Sequence, residues 1–262
     1  MITRIITAII GLLIFLPIIY IGDYPFIIFM SIVAMLAFFE IAKMKSFKIT
    51  SFPVILGTLI LLIVMFRSQL GDLVPFLHEN FNESIYLGVL ILLMYSVWKK
   101  NTFSFDDAAF ILLALLYVGV GFSYFVETRL VGLEYVLFVL TIIWITDSGA
   151  YFIGRSLGKN KLWPAISPNK TIEGFVGGIV VACVATTIFQ FIYPIHESLL
   201  VVIIVTIFAS ILAQIGDLVE SAIKRKYNVK DSGNLLPGHG GVLDRFDSLI
   251  FMVPFLHIIQ FI

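Results

Sequence analysis

The sequence predicts an all-α, polytopic integral membrane protein of about nine transmembrane helices, with its N-terminus cytoplasmic and its C-terminus outside. Three observations predict it. First, 60% of the 262 residues are hydrophobic and 13% charged, with a mean hydropathy of +1.06. A soluble domain is about a quarter charged, so this chain has more apolar surface than one soluble core can take up. Second, nine apolar stretches are long enough, or nearly so, to cross a bilayer, near 5–22, 25–42, 49–66, 83–98, 108–126, 131–153, 174–194, 198–219 and 246–262; a spanning helix needs about 20 apolar residues. Third, with these spans and an inside N-terminus, 15 of the 17 basic residues fall inside and only Arg67 and Arg129 outside, the bias of the positive-inside rule.

Taken in order, the first stretch lacks a small-residue cleavage site and reads as a retained helix, not a cleaved signal. It contains Pro17, and the ninth contains Pro254, both tolerable within membrane helices. The fourth stretch is short. Outside loops are brief except Arg67 to Asn82, which reads as an interfacial segment. The longest cytoplasmic loops, 154–173 and 220–245, are rich in Gly, Pro, Asn and Lys. Loops on a rigid scaffold are where function concentrates. The whole reads as one membrane domain, 1–262, with a helical scaffold part at 1–130 and a catalytic part at 131–262. The lone Cys183 sits in an apolar run, which excludes an intrachain disulfide.

The chemistry lies in the second half. The eighth stretch ends A-Q-I-G-D-L-V-E-S-A-I-K-R, with Asp217 close to the interface and Ser221 and Lys224 on its helical face. An ionisable group at that depth is costly and marks a functional site, or else a helix-end carboxylate paired with Lys224 or Arg225. The ninth begins D-R-F-D. Asp244 and Asp247 share a face at a helix N-terminus, where they could be caps or could bind a metal. Mg²⁺ takes oxygen ligands, usually one or two carboxylates plus substrate phosphates. Between these helices, Gly238, Gly240 and Gly241 let backbone amides approach an anion, His239 could donate to a phosphate, and Lys230-Asp231-Ser232-Gly233 adds a charge pair and a turn.

The loop after the sixth stretch repeats the theme. Asp147 closes an apolar run, with Tyr151 and Arg155 on its face, and S-P-N-K-T-I-E-G follows at 167–174. Ser167, Asn169, Lys170 and Thr171 are donors for a phosphate or a base; the same residues also read as an ordinary capped helix start. Glu40, in F-F-E-I-A-K, reads either as a partner of a basic residue such as Lys43 or as a site residue. His78, His196 and His257 are scattered. A P-loop, a Rossmann glycine motif and C-x-x-C are all absent from the sequence. The basic loops are too short and too close to lipid for nucleic acid.

Residues 221–247, S-A-I-K-R-K-Y-N-V-K-D-S-G-N-L-L-P-G-H-G-G-V-L-D-R-F-D, resemble the signature of the phosphatidate cytidylyltransferases, also called CDP-diacylglycerol synthases. Ser221, Lys224, Arg225, Lys230, Asp231, Gly233, Leu236, Pro237, His239, Gly240, Gly241, Asp244, Arg245 and Asp247 all fit the pattern. The Asp147 stretch and S-P-N-K-T-I-E-G are also similar, with Asn169 where the usual form has Lys. The resemblance spans roughly 140–250 and implies transfer of a cytidylyl group from CTP to phosphatidate with release of pyrophosphate, at the cytoplasmic face of a bacterial membrane. It implies Mg²⁺ (or Mn²⁺) on Asp217 and Asp244, with Asp247 in support. Lys170, Lys224, Arg225 and Arg245 would neutralise phosphates. Asp147, Ser167, Thr171, Ser221, Lys230, Asp231 and the 238–241 loop would bind substrate. Membrane lipids are expected partners, and a homodimer follows from the resemblance alone. Two rivals stand beside it. One is a secondary transporter or lipid flippase using Asp147 and Asp217 as ion sites. The other is a CTP-dependent polyprenol or phytol kinase, which would release CDP instead of pyrophosphate.

Overall fold

The computed structural model describes residues 2–69 and 74–262. Its helices are α1 (Ile2–Ile21), α2 (Asp23–Met44), α3 (Phe52–Met65), α4 (Pro75–Glu79), α5 (Phe81–Trp98), α6 (Phe105–Val131), α7 (Leu133–Leu157), α8 (Ile172–Ile192), α9 (Leu199–Lys226) and α10 (Leu243–Ile258). Each of the nine apolar stretches contains a helix. Among the described residues, six are long and apolar enough to cross a membrane (α2 and α5 to α9), and α1 and α3 contribute shorter apolar segments. The chain is therefore an α-helical integral membrane protein. The expected interfacial segment at 67–82 lies partly outside the described residues; its described part holds the single-turn α4. Pro17 and Pro254 lie inside α1 and α10.

Local chemistry explains several helix starts. Before α6, Ser104 N donates to Asp107 Oδ2 at 2.9 Å, and Asp107 N donates to Ser104 Oγ at 3.2 Å, a reciprocal capping box. Before α8, Thr171 Oγ1 accepts from Gly174 N at 3.1 Å. The predicted capped start at T-I-E-G is thus present. α9 ends on Lys224, Arg225 and Lys226, cations that suit the negative end of a helix dipole.

One feature was not predicted. The loop after α7 folds into a two-stranded antiparallel hairpin, β1 (Lys161–Trp163) with β2 (Ser167–Thr171), pairing Lys161 with Thr171 and Trp163 with Ser167. These strands are too short to show an alternating pattern, which is why the stretch reads as a loop in sequence.

The chain forms two compact units. The first runs up to Glu127 and takes in Asp231–Leu243. Its core is aromatic and aliphatic: Phe26, Phe38, Phe122 and Phe125 are fully buried with Met30, Leu61 and Ile111, and the Phe26 and Phe125 rings meet edge-on at 5.6 Å. Gly57 lets α3 approach α2, since a Cβ there would lie 2.7 Å from the Phe38 ring.

The second unit comprises Thr128–Lys230 and Asp244–Ile262. Small residues bring its helices into backbone contact, as membrane helices require when lipid removes the hydrophobic drive to associate. A Cβ at Gly178 would stand 2.8 Å from the Thr146 carbonyl, and one at Gly174 would stand 2.7 Å from the Ala150 carbonyl. Buried hydroxyls then pair across helices: Thr146 with Ser210 at 2.8 Å, and Thr206 donating to Thr186 at 3.0 Å. Each such bond contributes about 0.6 kcal/mol. Gly216 does the same for α9 and α10, because a Cβ there would meet the Asp247 carbonyl at 2.7 Å. That approach sets Asp217 beside the first turns of α10.

Candidate active site

In the second unit, three helix ends and the hairpin surround a cavity of about 500 Å³. Its wall includes Asp147, Tyr151 and Arg155 from α7, Asn169, Lys170 and Thr171 from β2, and Gln214 and Asp217 from α9. The α7 residues recur every turn, so one helical face supplies all three. Arg155 Nη1 donates to the Tyr151 hydroxyl at 3.2 Å. Gln214 Nε2 donates to the Phe175 carbonyl at 3.2 Å, fixing α8 to α9 at the cavity floor.

Charge is concentrated here. Lys170 Nζ lies 2.6 Å from Asp217 Oδ2, and both side chains are part-exposed. Asp147 lies in the field of Asp217, Lys170 and Arg245; Asp247 lies in the field of Asp217, Asp147 and Lys224. Asp147, Asp217 and Asp247, from three helices, thus share one field, with Lys170 and Arg245 partly compensating. Arg245 itself is exposed. The second of the two readings of Asp217 fails in its detail: the ion partner is Lys170, not Lys224 or Arg225. Ser221 Oγ reaches Asp217 Oδ1 at 3.4 Å, on the shared face the spacing predicts.

Lys224 is engaged elsewhere. It is 9% exposed and its ammonium lies between Asp244 Oδ1, at 2.6 Å, and the carboxylate of Glu220, which is 1% exposed. Buried charges are tolerated when paired in this way. Glu220 escaped the sequence reading. Its position three residues after Asp217 and four before Lys224 was the available signal. Arg225 donates to the carbonyls of Ile166 and Val229, each at 3.3 Å, so it ties the hairpin to the end of α9. Thr171 spends its hydroxyl on the helix cap, and Ser167 pairs in the hairpin. Asp247 Oδ1 accepts from Ser248 N at 2.7 Å.

Among the described residues, no group of three or more His, Cys, Asp or Glu side chains is placed to hold an ion alone. Mg²⁺ needs only one or two carboxylates when phosphates complete its shell. Asp217 and Asp247, which lie in one field, could serve as those one or two carboxylates.

The glycine-rich loop belongs to the first unit. Leu236 to His239 is a tight turn: His239 N donates to the Leu236 carbonyl at 2.9 Å, with Pro237 leading and Gly238 at φ 77°. That is the pattern of a type II turn, which needs glycine at its third position. Gly240, at φ 85°, returns the chain so that Leu236 N donates to its carbonyl at 3.0 Å. Thr7 Oγ1 donates to the Pro237 carbonyl at 3.0 Å. His239 Nδ1 is buried with no hydrogen-bond partner among the described residues. Lys230 and Asp231, at the boundary of the two units, are exposed.

Glu40 departs from expectation. Among the described residues its partners are not basic side chains. It accepts from Ser232 Oγ at 2.8 Å and from Val242 N and Leu243 N, each at 2.9 Å. Leu243 opens α10, so Glu40 contributes to the cap of that helix.

The cytidylyltransferase family model matches residues 2–262. The chain is 48% identical over 259 residues to a phosphatidate cytidylyltransferase of Bacillus subtilis (strain 168), covering 97% of this chain and 95% of that protein. It is 47% identical over 256 residues to a phosphatidate cytidylyltransferase of Staphylococcus haemolyticus, covering 98% and 97%. It is 44% identical over 256 residues to one from Staphylococcus aureus (strain COL), with the same coverage.

Proposed function

Because the chain belongs to the cytidylyltransferase family, we propose that it transfers the cytidylyl group of CTP to phosphatidate, yielding CDP-diacylglycerol and pyrophosphate in phospholipid synthesis. Its near-full-length identity to relatives bearing that activity in their names supports the reading. The observation that carries it in the structure is the cavity where Asp147, Asp217, Lys170 and Arg155 meet at the ends of membrane helices. Both signs of charge at the edge of an apolar scaffold suit one water-soluble and one lipid phosphate.

A phosphatidate oxygen attacks the α-phosphorus of CTP, a new P–O bond forms, and the bond to the leaving pyrophosphate breaks. Phosphatidate is already anionic at neutral pH, so no general base is required. Catalysis rests on positioning and on neutralising two polyanions. Lys170, Arg155 and Arg245 supply positive charge toward the cavity. Lys170 exchanges its Asp217 partner for phosphate. Lys224 acts mainly by holding Asp244 and Glu220 in place. The Gly238–Gly241 loop is assigned to the triphosphate on its sequence pattern. Asp217, together with Asp247 or Asp244, would supply the one or two carboxylates that hold Mg²⁺ or Mn²⁺ on the substrate phosphates, and the ion would offset charge on the phosphate oxygens.

The finer topology proposed with this function is nine spans in the bacterial cytoplasmic membrane, an inside N-terminus, an outside C-terminus and a site facing the cytoplasm, in a homodimer. The test is the purified protein in phosphatidate–detergent micelles with CTP and Mg²⁺. CDP-lipid and pyrophosphate are the expected products. CDP release with a prenol acceptor, or no turnover with any lipid, would overturn the assignment.

A further inference from the structure

We propose that Glu40 is a positioning residue that clamps the Asp231–Leu243 loop into its working shape; the inference rests on the reading that this signature loop serves cytidylyl transfer. Glu40 stands one turn from the end of α2 and is 7% exposed. Three donors converge on its carboxylate: Oε2 takes Ser232 Oγ and Leu243 N, and Oε1 takes Val242 N. Ser232 opens the loop, while Val242 and Leu243 close it. One side chain therefore ties both ends of the loop, and the span between carries the turn at 236–239.

The glycines divide accordingly. Gly238 and Gly240 are required by backbone conformation. Gly233 and Gly241 have no positive φ. What they lack is space: a Cβ at Gly233 would run into the carboxylate of Glu40, and one at Gly241 into both the Ser232 hydroxyl and that carboxylate. Two glycines of the signature are thus explained by a residue nearly 200 positions earlier. Lys43, the basic neighbour one turn on, is exposed.

Only an acceptor-only group can serve three donors at once. Gln is nearly isosteric, but its amide nitrogen would face one of the N–H donors it replaces. Asp is one methylene too short. Without the clamp the loop must be ordered when substrate binds, so the apparent KM for CTP rises along with any loss of kcat.

The experiment compares full-length wild type, Glu40→Gln and Ser232→Ala in detergent micelles. Hydrogen–deuterium exchange is read by mass spectrometry over 231–243 and over α7 to α9. KM for CTP and kcat are read from CDP-lipid formation. Glu40→Gln should speed exchange at 242 and 243 by about tenfold or more while α7 to α9 are unchanged, and should lower kcat/KM on the order of tenfold, mostly through KM. Ser232→Ala, the milder variant, should move both in the same direction by less. Unchanged exchange over 231–243 in Glu40→Gln overturns the clamp. Faster exchange with unaltered KM and kcat overturns its role in the reaction, and faster exchange throughout the chain reduces Glu40 to a fold-stabilising residue. If the wild type makes no CDP-lipid, the assigned reaction fails, and the exchange data still decide whether Glu40 holds the loop.

Discussion

The loop at 231–243 and the hairpin at 161–171 are each held by a glutamate that accepts from backbone amides, and the two glutamates differ in depth and in reach. Glu173 is part-exposed and takes Lys159 N at 3.1 Å, Asn160 N at 3.2 Å and Asn160 Nδ2 at 2.7 Å, all within 14 residues. Glu40 is buried and takes donors about 200 residues away. The hairpin has a β-ladder, a threonine cap and Arg225 besides; the loop has its own turn and Thr7. A local, redundant anchor can lose one member at little cost. A buried anchor cannot, because unpaired polar groups then remain out of water.

That contrast can be broken or sharpened by substitution. The largest effect is expected where buried charge is left without a partner. Lys224→Met strands Glu220 and Asp244, and should destabilise the protein by about 3–5 kcal/mol, read as a fall in Tm in detergent. A small change in Tm would mean the buried charges are readily relieved, and would weaken the same argument for Glu40.

Asp217→Asn comes next. It removes Lys170's partner and one carboxylate of the cavity, and should cut turnover on the order of 10²-fold with the helical circular dichroism unchanged. An active variant would remove Asp217 from the site.

Gly241→Ala should cost about 1–3 kcal/mol through overpacking against Ser232 and Glu40. In a Glu40→Ala background the cost should shrink, giving a coupling that a double-mutant cycle measures. Additive costs would mean that the two residues do not meet as described. Smallest is Glu173→Ala, whose local ties are solvent-accessible and backed by the ladder. Turnover should stay within about threefold of wild type. A drop as large as that of Glu40→Gln would erase the distinction between the anchors.

The helices were legible because each spans enough apolar residues to leave no other reading, and because Lys and Arg mark the ends. Asp217, Ser221 and Lys224 were legible as one face because helical spacing alone places them. Asp217's actual partner was not, since Lys170 arrives from a hairpin whose strands are too short to leave a pattern. Glu220 was hidden among apolar neighbours in L-V-E-S-A. Glu40 was visible as an anomaly, a carboxylate in an apolar run, yet its donors are two backbone amides and a serine, which carry no charge for a sequence to pair with it.

The order in which the chain is made gives the Glu40 tie a further meaning. α2 leaves the ribosome early, and the amides that satisfy its carboxylate are among the last residues to follow. A nascent or truncated chain that stops after Lys230 carries an acidic group in a membrane helix with none of the three donors that the finished protein provides. The first compact unit takes in residues 231–243, so it can close only after α9 and the loop that follows it have been made.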